Sequence, residues 1–441
     1  MSFPRYPNYK DSGVEWLGEV PEHWVTQPLC SIADECSESN VGLAGANLLS
    51  LSYGEIVRKD ATANDGLLPE SFETYQIVRL GDIVLRLTDL QNDQRSLRSA
   101  LVSETGIITS AYLAIRPRNI GSEYIAYLLR AYDRTKVFYS MGGGLRQSMK
   151  FADLKRLPML LPPKWEQDQI VAFLKSETAK LDALIAEQRR LVALLHDKRQ
   201  ATISDAVAGG MNPDSPTVPL HGKGLTRIPA HWEVRTLSSV TEKITNGYVG
   251  PTRDILVDDG IRYLQSLHIK QNQIRFDVPY YVTAEWSARH SKSILETGDV
   301  LVVQTGDIGQ SAVVTPDFTG CNCHALIVIT PRVESLLGEW LAWYFTSAFG
   351  MYALLSVQTG ALHPHLNCGK VKALVVPVPP LKEQREISTA IYRQVREVDT
   401  LAQEAECAVV LLEERRTALI SAAVTGKIDV RNYATDAAEA A

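Results

Sequence analysis

The sequence predicts an α+β chain: two tandem α/β domains, each followed by one long helix, with the two long helices packed on each other. Three observations predict it. The segment PPKWEQDQIVAFL at 162–174 returns as PPLKEQREISTAI at 379–391, with five of thirteen positions identical and an offset of 217 residues, about half the 441-residue chain. Composition switches at each Pro-Pro, from short runs rich in Val, Ile, Leu, Tyr and Thr to an uninterrupted helical pattern. A length of 441 residues also exceeds what one hydrophobic core organises, so at least two domains are needed.

The duplication runs through the chain in constant order. VPEHWVTQPLCSI (20–32) matches IPAHWEVRTLSSV (228–240), and RLGDIVLRLTDL (79–90) matches ETGDVLVVQTGDI (296–308). GGLRQSM (143–149) matches TGALHPHL (359–366), and ISDAVAGGM (203–211) matches ISAAVTGKI (420–428). So long a period excludes a solenoid. Within the copies, IVLRL, YLAIRP, VLVVQT and ALIVITP read as strands. Segments 122–139 and 337–356 carry apolar residues at three- and four-residue spacing and read as helices.

One long helix follows each Pro-Pro. Pro suits the first turn, Gly209 and Gly426 suit the stop, and Glu166 and Glu383 sit where the helix dipole favours an anion. A helix from Pro163 to Ala208 spans roughly 65–70 Å at about 1.5 Å per residue. Alone in water its apolar stripe would be bare. That stripe is predicted at Ile170, Leu174, Leu181, Leu184, Leu191 and Leu195, and in the second copy at Ile387, Ile391, Val398, Leu401, Val409 and Leu412. A register kept in both copies predicts that the helices pair as in a coiled coil. The domains are accordingly placed at 1–162 and 212–378, the helices at 163–211 and 379–430, and a frayed tail at 431–441.

Bulk composition narrows the function classes. A net charge of −6 argues against a uniformly basic nucleic-acid binder. It conceals a contrast: residues 1–78 hold 4 basic and 12 acidic side chains, 79–158 hold 13 and 7, and 296–378 hold 3 and 6. No run of eighteen apolar residues exists, and MSFPRYPNYKDSG does not read as a signal peptide, so a cytoplasmic location is expected. Six cysteines are too sparse for a disulfide framework. Cys321-x-Cys323-His324, with Cys368, His363 and His365, lacks the pair spacing of structural zinc, so no metal is expected. The G-x-x-x-x-G-K-[ST] phosphate loop, the Asn/Asp-Pro-Pro-aromatic box of adenine methyltransferases and a Gly-rich S-adenosylmethionine turn are absent. No catalytic residue is therefore assigned, and His23 and His231, each beside a Trp, read as packing and capping residues.

YKDSGVEWLGEVPEHW (9–24), two PP-x-x-EQ-x-x-I helix openings and LISAAVTGKIDVR (419–431) occur together. In this combination the chain resembles the specificity subunit of type I restriction–modification systems over about residues 9–430. The resemblance implies two target recognition domains separated by two long conserved helices that pair as an antiparallel coiled coil, with internal pseudo-two-fold symmetry. It implies a bipartite asymmetric DNA target and, as partners, two methyltransferase (modification) subunits and restriction (motor–nuclease) subunits. S-adenosylmethionine, ATP and Mg are then expected in those partners, with no cofactor in this chain, in a prokaryotic cytoplasm.

Sequence-specific reading needs side chains at base edges and others on phosphate. Two stretches per domain combine such side chains with pliable backbone: 85–98 and 142–150, then 302–312 and 358–367. The candidates are Arg86, Thr88, Gln91, Arg95, Arg98, Arg146, Gln147, Ser148 and Lys150, and in the second domain Gln304, Thr305, Gln310, Gln358, Thr359, His363 and His365. Because 296–378 is not basic, phosphate contacts there are expected from Arg253, Arg262, Lys270, Arg275, Arg289 and Lys292. Two other readings stay open: an enzyme acting alone on DNA, and a coiled-coil scaffold that binds only protein.

Overall fold

The computed structural model describes residues 3–43, 47–60, 71–88, 97–141, 148–210, 214–219, 227–360 and 364–433. Packing divides the chain into two compact units, Met1–Gln188 with Cys407–Ala441, and Arg189–Glu406. Each unit holds one mixed domain and part of both long helices, so compactness cuts across the linear order of the sequence.

The two domains repeat one topology. In the first, Ala33–Cys36, Leu113–Pro117, Ile83–Leu85 and Ser99–Leu101 form an antiparallel sheet in that spatial order. In the second, Thr241–Asn246, Leu326–Pro331, Val300–Val303 and Ser311–Val313 do the same. Register is repeated too: Ile83 faces Ile115 and Leu101, as Val300 faces Ile329 and Val313. Both faces of each sheet are covered, which explains continuous apolar strands such as Val300–Val303, buried at all four positions. One face of the first sheet packs on the helix Ser122–Arg134, with Tyr124, Ile125, Leu128 and Leu129 fully buried. Its other face joins a second cluster containing Leu49, Val84, Ala100 and Ala114. The second sheet packs likewise on Gly338–Thr346 through Trp340 and Leu341. The second unit adds a further sheet containing Ile261–Leu264 and Asn322–Cys323, and beside it Trp286 stacks on His290 at 3.9 Å.

Both predicted domain helices break once. Lys136, at φ 62, separates Ser122–Arg134 from Val137–Met141. Ser347 is extended and caps the next segment, Ala348–Ser356, by accepting the Gly350 N–H at 3.1 Å. A strand pair closes each domain: Val25–Pro28 lies on Pro158–Leu161, and Glu233–Thr236 on Val375–Val378. The chain just after each His-Trp is thereby zipped to the chain just before each Pro-Pro.

The long helices are Lys164–Gly209 and Leu381–Val424. Proline lacks an N–H that the first turn would leave unpaired, while the Pro163 and Pro380 carbonyls accept from Gln167 and Gln384, each at 3.0 Å. The first helix runs through Gly209, and Gly210 rather than Gly209 takes the left-handed stop at φ 69; Gly426 takes it at φ 70 in the second. Within the first unit Leu174 shares a core with Ile420 and Val424, while Asp182 pairs with Arg416 at 2.8 Å. Within the second, Ile203 and Val207 share a core with Ile387 and Ile391, while Arg199 pairs with Asp399 at 2.9 Å. Rising numbers on one helix meet falling numbers on the other, so the helices pair antiparallel in each unit.

The seam differs in part from the predicted stripe. Leu174, Thr178, Leu181 and Ile185 are buried, as are Ile391, Val395, Ala402 and Ala405. Leu195, Val398, Val409 and Leu412 are half-buried, and Ile170 and Ile387 are buried in the domain cores. Leu184, Leu191 and Leu401 are exposed and do not belong to the pairing stripe. One residue turns a helix by about 100°, and beside a two-helix seam that rotation carries a leucine out to solvent.

Candidate nucleic-acid interface

Each domain is fixed to its helix by the Glu-Gln pair of the helix opening. Glu166 is fully buried, and its carboxylate accepts from the Tyr6 hydroxyl at 2.6 Å and Trp24 Nε1 at 3.1 Å. His23 Nε2 completes the set at 2.8 Å. Glu383 repeats the arrangement with Trp232 Nε1 at 3.0 Å and His231 Nε2 at 2.7 Å. Burial and the Glu166 bond push the Tyr6 hydroxyl far above its ordinary range, so it stays a donor. Gln167 and Gln384 donate to the Pro162 and Pro379 carbonyls at 2.8 and 2.7 Å. Their side-chain oxygens accept the N–H of Gly121 at 3.4 Å and of Leu337 at 2.8 Å, where the domain helices begin. A carboxylate is costly to bury unless its donors are supplied, and that requirement ties PP-x-x-EQ to P-x-HW. Sequence reasoning placed the two glutamates for the helix dipole and missed this clamp; the signal was the joint duplication of His-Trp and Glu-Gln. The helix ends close on the same tryptophans. A Cβ on Gly426 would lie 2.3 Å from Pro21 and 3.3 Å from Trp24, and one on Gly210 would lie 2.7 Å from Glu383 and 3.2 Å from Trp232.

On this footing, each domain brings its two predicted reading stretches together through one backbone bond. Leu87 O accepts from the Met149 N–H at 2.9 Å, and Gln304 O accepts from the Leu366 N–H at 3.0 Å. Leu87 and Gln304 are 217 residues apart, as are Met149 and Leu366. The same clip is made twice with different side chains around it. The turn before each central strand is fixed by a buried aspartate that sequence reasoning did not single out. Asp82 accepts from Arg79 N and from Arg116 Nε at 2.8 and 2.7 Å, and Asp299 from Glu296 N and the Thr330 hydroxyl at 2.9 and 2.6 Å. Its signal was the repeated Gly-Asp.

The candidate side chains divide by position. Arg86 and Thr88 are half-buried beside the clip, and Ser148 and Lys150 are exposed. Gln91, Arg95, Arg146, Gln147 and His363 lie outside the described residues. Thr305 and Gln358 are exposed. Thr359 and His365 pair through two backbone bonds of 2.9 and 2.8 Å and are half-buried. Gln304 is half-buried with its side-chain oxygen unpaired, and Gln310 accepts from the Gln271 N–H at 3.1 Å. Arg98 is a correction: it is 0% exposed, its guanidinium donates to the Thr88 carbonyl at 2.9 Å, and its N–H donates to Asp133 at 2.7 Å. It ties Thr88 and Asp133 together inside the domain and cannot reach a base edge. In the second domain, Arg262 lies 5.6 Å from the ring centres of both Phe276 and Phe318.

Among the described residues no three His, Cys, Asp or Glu side chains group as a metal site. Cys321 and Cys323 are buried in the core, where desolvation pushes the Cys321 thiol up to about 11. No helix among the described residues is long and apolar enough to cross a membrane.

Residues 229–405 match the family described as Type I restriction modification DNA specificity domain. The Type I restriction enzyme EcoBI specificity subunit of Escherichia coli is 23% identical over 276 residues, 61% of this chain and 58% of that relative, which is under two thirds of its length. The EcoKI specificity subunit of Escherichia coli strain K12 is 23% identical over 439 residues, 93% of this chain and 90% of that relative. Over most of its length the chain is similar to type I restriction–modification specificity subunits. A solved chain from a study of assembly and conformational transition in the type I R-M system shares the fold at a TM-score of 0.66, with 18% identity, covering 92% of this chain and 98% of that one. The matched span takes in the second domain, its clip and its Glu383 clamp; the first unit carries the same clip and a clamp of the same kind at Glu166.

Proposed function

We propose that this chain reads a bipartite, asymmetric DNA target and positions two modification subunits and the restriction subunits on it. The duplicated clip carries the reading: two pairs of stretches, each joined by the same backbone bond and bearing different side chains, suit two half-sites of different sequence. Arg86 and Lys150 flank the first clip; Gln304 itself makes the second, and Thr305 follows it. Arginine favours guanine and glutamine favours adenine, so the two half-sites should differ. The paired helices set the distance between the half-sites. Adenine methylation and ATP-dependent cleavage belong to the partner subunits, which hold S-adenosylmethionine, ATP and Mg; the methylated adenine is turned out of the stack there.

A second feature supports two copies of one partner. Leu184 and Leu401, 51% and 52% exposed, are 217 residues apart, and so are Leu194 and Leu411, 56% and 64% exposed. Large apolar side chains left bare at equivalent positions suit two equivalent docking faces.

The test is sequencing of methylated DNA from cells expressing this chain with its modification subunits. The expected result is one motif of two dissimilar words with a fixed gap. Methylation without a motif, or at one uninterrupted word, would contradict the proposal. The lone-enzyme reading is checked by incubating the purified chain with DNA and a labelled methyl donor, where no transfer is expected.

A further inference from the structure

We propose that Arg199 is a positioning residue for DNA reading by the second domain, transmitting the helix pairing to the loop that carries Gln310. The inference rests on the DNA-reading function proposed above. Arg199 sits on the first long helix with its side chain 8% exposed. Its Nε donates to Asp399 on the second long helix at 2.9 Å, and its Nη2 donates to the Gln271 carbonyl at 2.9 Å. Gln271 and Asn272, at φ 51 and 63, are the two turn residues of a hairpin pairing Ile269–Lys270 with Gln273–Ile274. Left-handed backbone is costly for a glutamine, so this turn depends on what holds it. The Gln271 N–H in turn donates to Gln310 Oε1 at 3.1 Å, fixing a candidate base-contacting side chain. One guanidinium thus ties both helices to the turn, and one residue of the turn ties it to the reading loop.

Beside this link lies a cavity of about 650 Å³, lined by His196, Asn272, Arg275 and Arg396 among others, so the turn meets the helices chiefly through polar groups. Arg199 supplies direction there, because its planar fork reaches two acceptors in fixed geometry; a lysine ammonium cannot reproduce that. The first unit handles the same need differently. Arg416, the 217-residue counterpart, pairs with Asp182 at 2.8 Å, while the turn at Gly54 accepts from Arg130 of the domain's own helix.

The experiment compares methylation motifs in cells expressing the chain with its modification subunits, using wild type, Arg199→Lys and Arg416→Lys, with thermal unfolding of each purified chain. The inference expects Arg199→Lys to unfold near the wild-type temperature and to lose about tenfold or more in base discrimination in one half-site only. Arg416→Lys should keep the wild-type motif. An unchanged motif for Arg199→Lys, an equal loss in both half-sites, or the same relaxation in Arg416→Lys would each overturn it. A wild-type chain that directs no bipartite motif would overturn the DNA-reading proposal itself, and the inference with it.

Discussion

In the first unit the hairpin Leu49–Ser52 with Glu55–Arg58 is held at Gly54 by Arg130, from the domain's own helix. In the second, the corresponding turn at Gln271 is held by Arg199, from a long helix. Around these two solutions the order and register of the four-stranded sheet, a Trp-bonded Glu at the helix opening and the loop clip are kept in both copies. The contrast separates the parts of a duplicated module that shared mechanics bind from those they leave free. Those that seat a domain on its helix are kept in both copies. Those that shape the candidate reading loops differ between the copies, as the proposed pair of unlike half-sites would require.

The clamps offer the largest test of this comparison. Glu166 is buried with three donors, whereas the Glu383 side chain is 17% exposed with two. Glu166→Ala should cost about 3–5 kcal/mol and Glu383→Ala about 1–3 kcal/mol, since each buried donor left unpaired adds its own desolvation cost. Urea unfolding of both variants measures this; equal losses would mean that burial does not separate the two units. The seam arginines come next. Arg199→Ala should cost about 2–3 kcal/mol because it strands a partly buried Asp399 and the Gln271 carbonyl. Arg416→Ala, in a more exposed pair, should cost under about 1 kcal/mol.

Acid should also divide the units. His268 is buried, its Nδ1 accepts the Gln265 N–H and its Nε2–H donates to Val278 O, both at 2.8 Å, so the neutral ring is the one that fits. Burial lowers its pKa from 6.5, and the same cause lowers that of His324. A base depressed by folding contributes stability that is present above its unfolded pKa and lost as pH falls below it. Hydrogen exchange at pH 7 and pH 5.5 should show protection falling around 265–278, while the sheet at 83–115 keeps its protection. Loss at both places would assign the acid response elsewhere. The smallest effect on stability is expected on the bare helix faces: Leu184→Asp and Leu401→Asp should change unfolding by no more than about 0.5 kcal/mol. Each should nonetheless weaken capture of the modification subunit in a pull-down.

The long helices and both domains were legible because the chain states them twice, at an offset that single residues obey. The seam was legible only to within one residue. Leu184 and Ile185 are both apolar, and only the packed partner decides which faces inward. Arg98 misled because charged loop residues are ordinarily exposed; its carbonyl partner at Thr88 appears only when the loop is folded. Arg199 gave no local sign at all, since its partners at Asp399 and Gln271 are 200 and 72 residues away. The reading loops share almost no side chains between copies, so the repeat could place them but could not say what they touch.

The proposed function depends on two unlike readers held apart by one pair of helices. Inserting one matched heptad into both long helices, and sequencing the methylated motif in cells supplying the modification subunits, tests it most directly. The expected result is the same two words separated by a changed gap. The original gap with both words intact would contradict it.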